Sequence, residues 1–374
     1  MIQPSRGRLA SFVAVAALAL AGTACGSDDD SSATPTAPAP TAAPATTQAD
    51  DDVDDTDDGA NTPDTTTAGS DPGDAVSADL GSVKLGLAVA GAFDFMPAYA
   101  AESGGFWADR GLSVEIVTFA GDARLQQAIA AGEIDFGLGG AAAALPAIEA
   151  GQEAKLVASI ANSLELFGLF VRDDITSVDQ LAGTSIGVTG PNAITDTLIK
   201  LVSRDLTGDL DNGISRQPLG LFDAQIAAFE TGQIDGFVWT IEGLLQAEAQ
   251  GLGHTLLTFD EVVPDFVAKA VMATDQMIND RPDAVAALLA GLYEGARVIE
   301  SDEAAAVALF TDVTGVSDVV AAQVWAEARS SLSLDGVFDE AAFDTLVGAL
   351  VDVEVLSSTE AAEAAIDSQF LPIG

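Results

Sequence analysis

The sequence predicts an α/β protein of two lobes with a helical C-terminal part, and three observations carry that prediction. Short β-like runs alternate with helical patterns from Val83 onward, and the alternation restarts near Asp173. The tetrad Gly-x-Ile-Asp then occurs twice, at Gly132 in "AAGEIDFGLGG" and at Gly232 in "ETGQIDGFVWT". Strands separated by helices imply mainly parallel sheets covered by helices, with binding loops at the carboxyl ends of the strands. In a chain of 374 residues, two such units are expected rather than one continuous core.

The elements follow in order. Val83 to Val89 reads as a strand, Ala98 to Arg110 as a helix closed at Gly111, and Ser113 to Phe119 as a strand. A helix over Ala123 to Ala131 is closed at Gly132, and Ile134 to Leu138 is a short strand. Ala141 to Ala150 is a helix closed at Gly151, and Lys155 to Ile160 a further strand. The second unit has a short helix at Val178 to Leu181, a strand at Ser185 to Thr189 and a helix at Pro191 to Ser203. Gln217 to Leu221 is a candidate strand, Asp223 to Glu230 a helix closed by Gly232, and Ile234 to Trp239 a strand. From Arg281 onward the pattern is helical, with Ser or Asp at N-cap positions such as Ser317, and these helices are expected to pack on the first lobe. The expected lobes are 80–171 plus 267–374, and 172–266.

Before the lobes come two segments of different character. Arg6 and Arg8, the apolar run Ser11 to Leu20 and the small residues Ala21 to Ala24 form an export signal over 1–24. The apolar run is short for a membrane span. Cys25, the only cysteine, follows directly in the manner of a bacterial lipobox, although Gly22 stands where a leucine is usual. Residues 25–79 are then expected to be a lipid-anchored, acidic, disordered linker. From Ser27 to Asp79 they are rich in Thr, Ala, Pro, Ser and Asp, hold 14 acids and have no Lys or Arg. Leu80 to Gly374 carries 44 acids against 12 Lys plus Arg, a formal charge of −32. That balance argues against a nucleic acid or an anionic membrane surface as partner, since either needs clustered cations.

Candidate binding residues lie on the loops after strands. "AGAFDFMP" presents Phe93, Phe95 and Met96, of which Phe93 leans to the core and Phe95 and Met96 to the cleft. "AGDAR" offers Gly121 for close backbone approach, and Arg124 as the one basic residue that can be placed on a cleft loop or else on a solvated helix face. Gly139 and Gly140 leave main-chain N–H groups uncovered at a helix start, a grip for an anion or a carbonyl. Asn162 gives a polar edge near Phe167. In "TGPNAITD", Thr189, Asn192 and Thr195 bring side-chain donors to a helix N-terminus with Pro191 in its first turn. Trp239 is either a flat wall for a ring or a core tryptophan; Thr240 follows, and Glu242 either meets a ligand amine or is solvated. Asp135 and Asp235 are assigned to structure, because an Asp at a strand start accepts backbone N–H bonds. The single His254 and the absence of cysteine from the folded part remove Cys/His nucleophiles and His- or Cys-rich metal sites. No cofactor or metal is expected.

The run "AFDFMPAYAAESGGFWADRGLSVEIVTFAGDARLQQAIAAGEIDFGLGG", the Gly-Gln-x-x-Lys step at Gly151 to Lys155 and "SVDQLAGTSIGV" are similar to the solute-binding lipoproteins of ABC importers. Within these the chain resembles the NMT1/THI5-like branch, which includes binders of alkanesulfonate, taurine, nitrate and pyrimidine precursors. The resemblance implies a type II periplasmic-binding fold, a small-molecule solute between two lobes and a membrane ABC permease as partner. It also implies a monomer held outside the cytoplasm at the cell membrane by lipid on Cys25. The aromatic loops favour a substituted sulfonate or a pyrimidine-like heterocycle. Two rivals stay open: an enzyme of pyrimidine-precursor synthesis on the same fold, and an adhesion lipoprotein, which would not need two matched α/β units.

Overall fold

Gly132 and Gly232 each end a helix in the left-handed region, at φ 71° and 70°, the conformation that closes a helix and that glycine adopts without penalty. Each then leads through a buried isoleucine and an aspartate into a strand. In the computed structural model, which describes residues 79–374 apart from 212 and 264, this step is built once into each of two sheets. The signal segment and nearly all of the linker, Cys25 included, lie outside the described residues.

Among the described residues ten strands run in chain order: β1 (Gly81–Leu87), β2 (Leu112–Thr118), β3 (Phe136–Gly140), β4 (Ala154–Ala161), β5 (Phe167–Val171), β6 (Ser185–Val188), β7 (Ser215–Pro218), β8 (Gly236–Thr240), β9 (His254–Thr258) and β10 (Lys269–Thr274). The helices between them are α1 (Met96–Ser103), α2 (Asp122–Ala130), α3 (Ala141–Glu149), α4 (Ile194–Thr207), α5 (Phe222–Glu230) and α6 (Ile241–Ala249). After β10 come α7 (Asp275–Asp280), α8 (Pro282–Ser301), α9 (Glu303–Thr314), α10 (Asp318–Ala328), α11 (Glu340–Asp352) and α12 (Thr359–Glu363).

The sheets have the orders β2-β1-β3-β10-β4 and β7-β6-β8-β5-β9. These are one topology used twice. In each, four of the five strands point the same way and the fourth in order runs antiparallel to both of its neighbours. The antiparallel strand is the one that arrives from the other sheet: β5 directly after β4, and β10 directly after β9. Two chain crossings therefore join the sheets, at 162–166 and 259–268.

The repeated aspartates have matching work. Asp135 donates its N–H to the Lys84 carbonyl (3.2 Å) and accepts from the Lys84 N–H on Oδ2 (2.8 Å). Asp235 does the same with Ser185, donating its N–H to the carbonyl and accepting the Ser185 N–H on Oδ2 at 2.8 Å. It also pairs with Arg172. These pincers fix β3 to β1 and β8 to β6 at the amino ends of the strands, and the strands accordingly begin at residues 136 and 236, two later than their sequence pattern suggests.

Other departures have local causes. The helix expected over 98–110 stops at Ser103, where Gly104 and Gly105 follow, and resumes only as a single 3-10 turn at Ala108–Arg110. The helix expected from Pro191 starts at Ile194, because Asn192 sits at φ 59°. The C-terminal helices do pack on the first sheet's layer: α8 lies along α1, with Gly295 against the Pro97 carbonyl and Trp107 Nε1 donating to the Leu288 carbonyl at 2.9 Å. They also reach the second: α10 touches α6, and Arg204 of α4 pairs with Asp352 of α11 at 2.9 Å. The last residues cover the outer edge of β4, where the Leu156 N–H donates to Ala365 and the Ser159 N–H to Gly336, so this edge is not left as a bare template for pairing.

Candidate functional site

Parallel strands deliver their carboxyl ends, and the helix starts that follow, to one side of a sheet. Here the two sheets turn those sides toward each other. A cavity of about 270 Å³ lies between Gly121, Asp122 and Gln126 of the first sheet's layer and Thr189, Asn192 and Ala193 of the second. A narrower continuation is lined by Ala88, Phe167, Thr195, Trp239, Thr240 and Lys269, with Gly121, Asp122 and Thr189 shared between the two.

Among the expected residues, Gly121, Thr189, Asn192, Thr195 and Trp239 therefore line this space, as do Phe167 and Thr240. Gly121 is at φ 109°, a backbone conformation open to glycine. The loop 189–195 is tied to itself: the Thr195 hydroxyl accepts from the Thr189 N–H and meets the Thr189 hydroxyl, both at 2.9 Å. The Asn192 N–H donates to Asp196, whose carboxylate also pairs with Arg216 and Lys200. Trp239 leans on Phe222, ring centroids 5.4 Å apart, and keeps part of its surface toward the cavity.

The remaining expected residues are placed elsewhere. Phe95 and Met96 have no exposed surface; they lie beneath the cleft, and Phe93 packs edge-on against Phe310 at 5.8 Å. Asn162 accepts from Ser159 (2.7 Å) and donates to the Val337 carbonyl (3.1 Å), holding a chain crossing rather than lining either cavity. Arg124 turns along its own helix to Gln127 at 3.1 Å and is exposed. Gly139 and Gly140 do bare their backbone at the start of α3, but the chain fills the place itself. The Gly140 N–H donates to Asp122 Oδ1 at 2.7 Å, and a methyl group on Gly139 would stand 2.8 Å from that oxygen.

Two charged residues, Lys269 and Asp94, were not anticipated, and Glu242, expected either to meet a ligand amine or to be solvated, is buried beside them. Lys269 opens β10 and is paired with Gly140 and Ala161 in register, so an antiparallel strand begins where β3 ends, at the cleft. Its ammonium lies 4.9 Å above the Phe95 ring, 5.3 Å from Phe167 and 3.9 Å from Asp94. Asp94 is fully buried, and neither carboxyl oxygen makes a hydrogen bond. Burial raises its pKa, Lys269 partly opposes this, and Asp122 adds to it. Glu242 is buried in the first turn of α6, accepts from the Thr240 hydroxyl, and keeps Oε2 without a partner. Desolvation pushes its carboxyl up to about 7. The sequence does carry a signal for Lys269: it is the one charge in the apolar run Phe266 to Thr274, where an unpaired ammonium would be costly.

A family model described as NMT1/THI5 like matches residues 92–306, more than half of the chain. No curated protein matches the sequence. Among solved structures, the alkanesulfonate-binding protein SsuA from Xanthomonas axonopodis pv. citri, bound to MOPS, is 16% identical at a TM-score of 0.67, over 79% of this chain and 100% of that one. The periplasmic aliphatic sulphonate binding protein SsuA from Escherichia coli is 17% identical at 0.64, over 77% and 92%. The periplasmic nitrate-binding protein NrtA from Synechocystis PCC 6803 is 15% identical at 0.62, over 76% and 84%. The shared architecture is the two-sheet periplasmic-binding fold.

Proposed function

Because the chain belongs to the NMT1/THI5-like family, we propose that it is the extracytoplasmic solute-binding protein of an ABC importer. It captures a small organic solute between its two sheets and hands it to a membrane permease. The observation that carries this reading is the cavity shared by strand-end loops of both sheets. Lipid on Cys25 and the acidic linker would hold the folded part at the outer face of the membrane, a role that suits a receptor awaiting its permease. An apolar or ring-shaped solute body fits the walls offered by Phe167 and Trp239.

The repeated aspartates, the first suspects for catalysis in an enzyme of pyrimidine-precursor synthesis on this fold, sit at the amino ends of their strands, engaged with backbone. A thermal-shift screen followed by calorimetry tests the binding reading: a cognate solute stabilises the protein by linkage. Trp239→Ala should weaken binding of that solute about tenfold or more, and unchanged affinity would remove Trp239 from the site.

A further inference from the structure

Among the described residues only two that are not glycine have a positive φ, Asn192 and Glu354, both at 59°. Glu354 has an ordinary cause, since it comes directly after the C-cap of α11, Val353, where a left-handed residue closes a helix. Asn192 ends no helix. It follows Pro191 in a turn closed by the Ala193 N–H on the Gly190 carbonyl at 3.3 Å. A positive φ in the third place of such a turn is met at least cost by glycine, so the presence of asparagine points to a use for its side chain. Residues 189–193 all line the wide cavity.

The first turns of α4 hold this loop through a buried charge cluster. Asp196, 5% exposed, accepts the Asn192 N–H on Oδ2 at 3.0 Å. Its carboxylate is held in turn by Arg216 at 2.7 Å and by Lys200 at 3.3 Å. Arg216 is itself fixed by the Leu210 carbonyl and by Asp211, both at 2.7 Å. Lys200 also donates to Asn192 Oδ1 at 3.3 Å. An ammonium can only donate, so the amide oxygen is the end of Asn192 that must face it. Asn192 is thus gripped twice, its backbone by Asp196 and its side chain by Lys200, while Asp196, Lys200 and Arg216 line neither cavity.

We propose that Asp196, backed by Arg216 and Lys200, is the positioning residue of the solute cavity. It holds Asn192 in its left-handed turn before any solute arrives, so that the Asn192 amide N–H2 stands ready as a hydrogen-bond donor. The three charged residues act through Asn192 and do not touch solute. A donor placed in advance spares the complex the cost of ordering the loop on binding. A carboxylate gives the firmer hold, because hydrogen bonds to an ionised acceptor are the stronger kind.

The proposal rests on the solute-binding reading, and two measurements separate their fates. In the solute-free protein, the Asn192 amide proton, followed by NMR, is expected to exchange about fivefold faster or more in Asp196→Asn than in the parent, since its hydrogen bond sets its protection. Equal exchange rates overturn the proposal and leave the solute-binding reading standing. For affinity, the probe is the solute that the parent chain retains from the low-molecular-weight fraction of yeast extract, identified by mass spectrometry and titrated by calorimetry. No retained solute overturns the solute-binding reading and the positioning role with it. With a retained solute, Asp196→Asn is expected to weaken binding about fivefold or more, but less than about twofold when added to Asn192→Gly, which adopts the turn unaided and has no amide to present. Equal losses in both backgrounds would mean that Asp196 only supports the fold around it, and overturn the proposal. Should Asp196→Asn fail to fold, the same pair of backgrounds is compared with Arg216→Gln, which leaves Lys200 on Asp196 and is expected to weaken binding about threefold in the Asn192 protein alone; an equal effect in both overturns the proposal.

Discussion

At Glu242 the folded protein holds a proton that the unfolded chain gives up near the ordinary 4.5, because burial lifts the carboxyl to about 7. The Thr240 hydroxyl and Lys269 pull the other way, and Asp94, itself raised by burial, adds to the lift. A raised carboxyl contributes its full stability below the unfolded pKa and loses it as pH rises through the folded one. Stability should therefore fall between about pH 4.5 and 7, by roughly 3 kcal/mol from this residue, at about 1.4 kcal/mol for each unit of pKa. Glu242→Gln should flatten that part of the profile, as read by urea unfolding at several pH values; an unaltered slope would place the protonation elsewhere. The residues that line the cleft were legible where a loop announced itself, as at Gly121, Thr189, Asn192, Thr195 and Trp239. Lys269 was not, because it reaches the cleft on a strand that returns from the other sheet, and no local pattern says where such a strand begins.

Among the elements, the two Gly-x-Ile-Asp steps are the most transparent. Each pairs a helix-ending glycine with an aspartate that clamps the neighbouring strand. Asp135→Ala and Asp235→Ala should each cost about 1–3 kcal/mol by leaving a strand N–H without its acceptor, the second more because Arg172 also loses its partner. Solute affinity should be unaffected in both, and calorimetry on the folded variants checks this. The contact of α8 with α1 is tighter than its sequence suggests: a methyl group at Gly295 would collide with the Pro97 carbonyl. Gly295→Ala should thus destabilise by about 1–3 kcal/mol or more, since backbone cannot yield as a flexible side chain does; denaturant midpoints report it. β5, "FGLFV", and β10, "KAVMAT", escaped the sequence reading for one reason. Strands covered on both faces lose the alternation of apolar and polar residues, and short apolar runs do not reveal their type.

For the molecule as a whole, the order of the alternating elements predicted the α/β class and the restart of the pattern predicted two units. The pattern could not show that the first sheet is completed by β10, a strand from beyond the whole of the second, since long-range pairing leaves no local mark. The consequence lies in time rather than in shape. A chain that emerges amino end first presents β3 and β4 long before β10, which belongs between them, so the first sheet waits with an empty slot until residue 274 has appeared. Such distant pairing slows folding and leaves hydrogen-bonding edges exposed meanwhile. A chain ended after Val171 should accordingly aggregate, whereas the same chain joined by a short linker to residues 269–374 should recover solubility and a cooperative unfolding transition. Circular dichroism and light scattering distinguish the two outcomes, and a well-folded short fragment would show that the slot closes without β10.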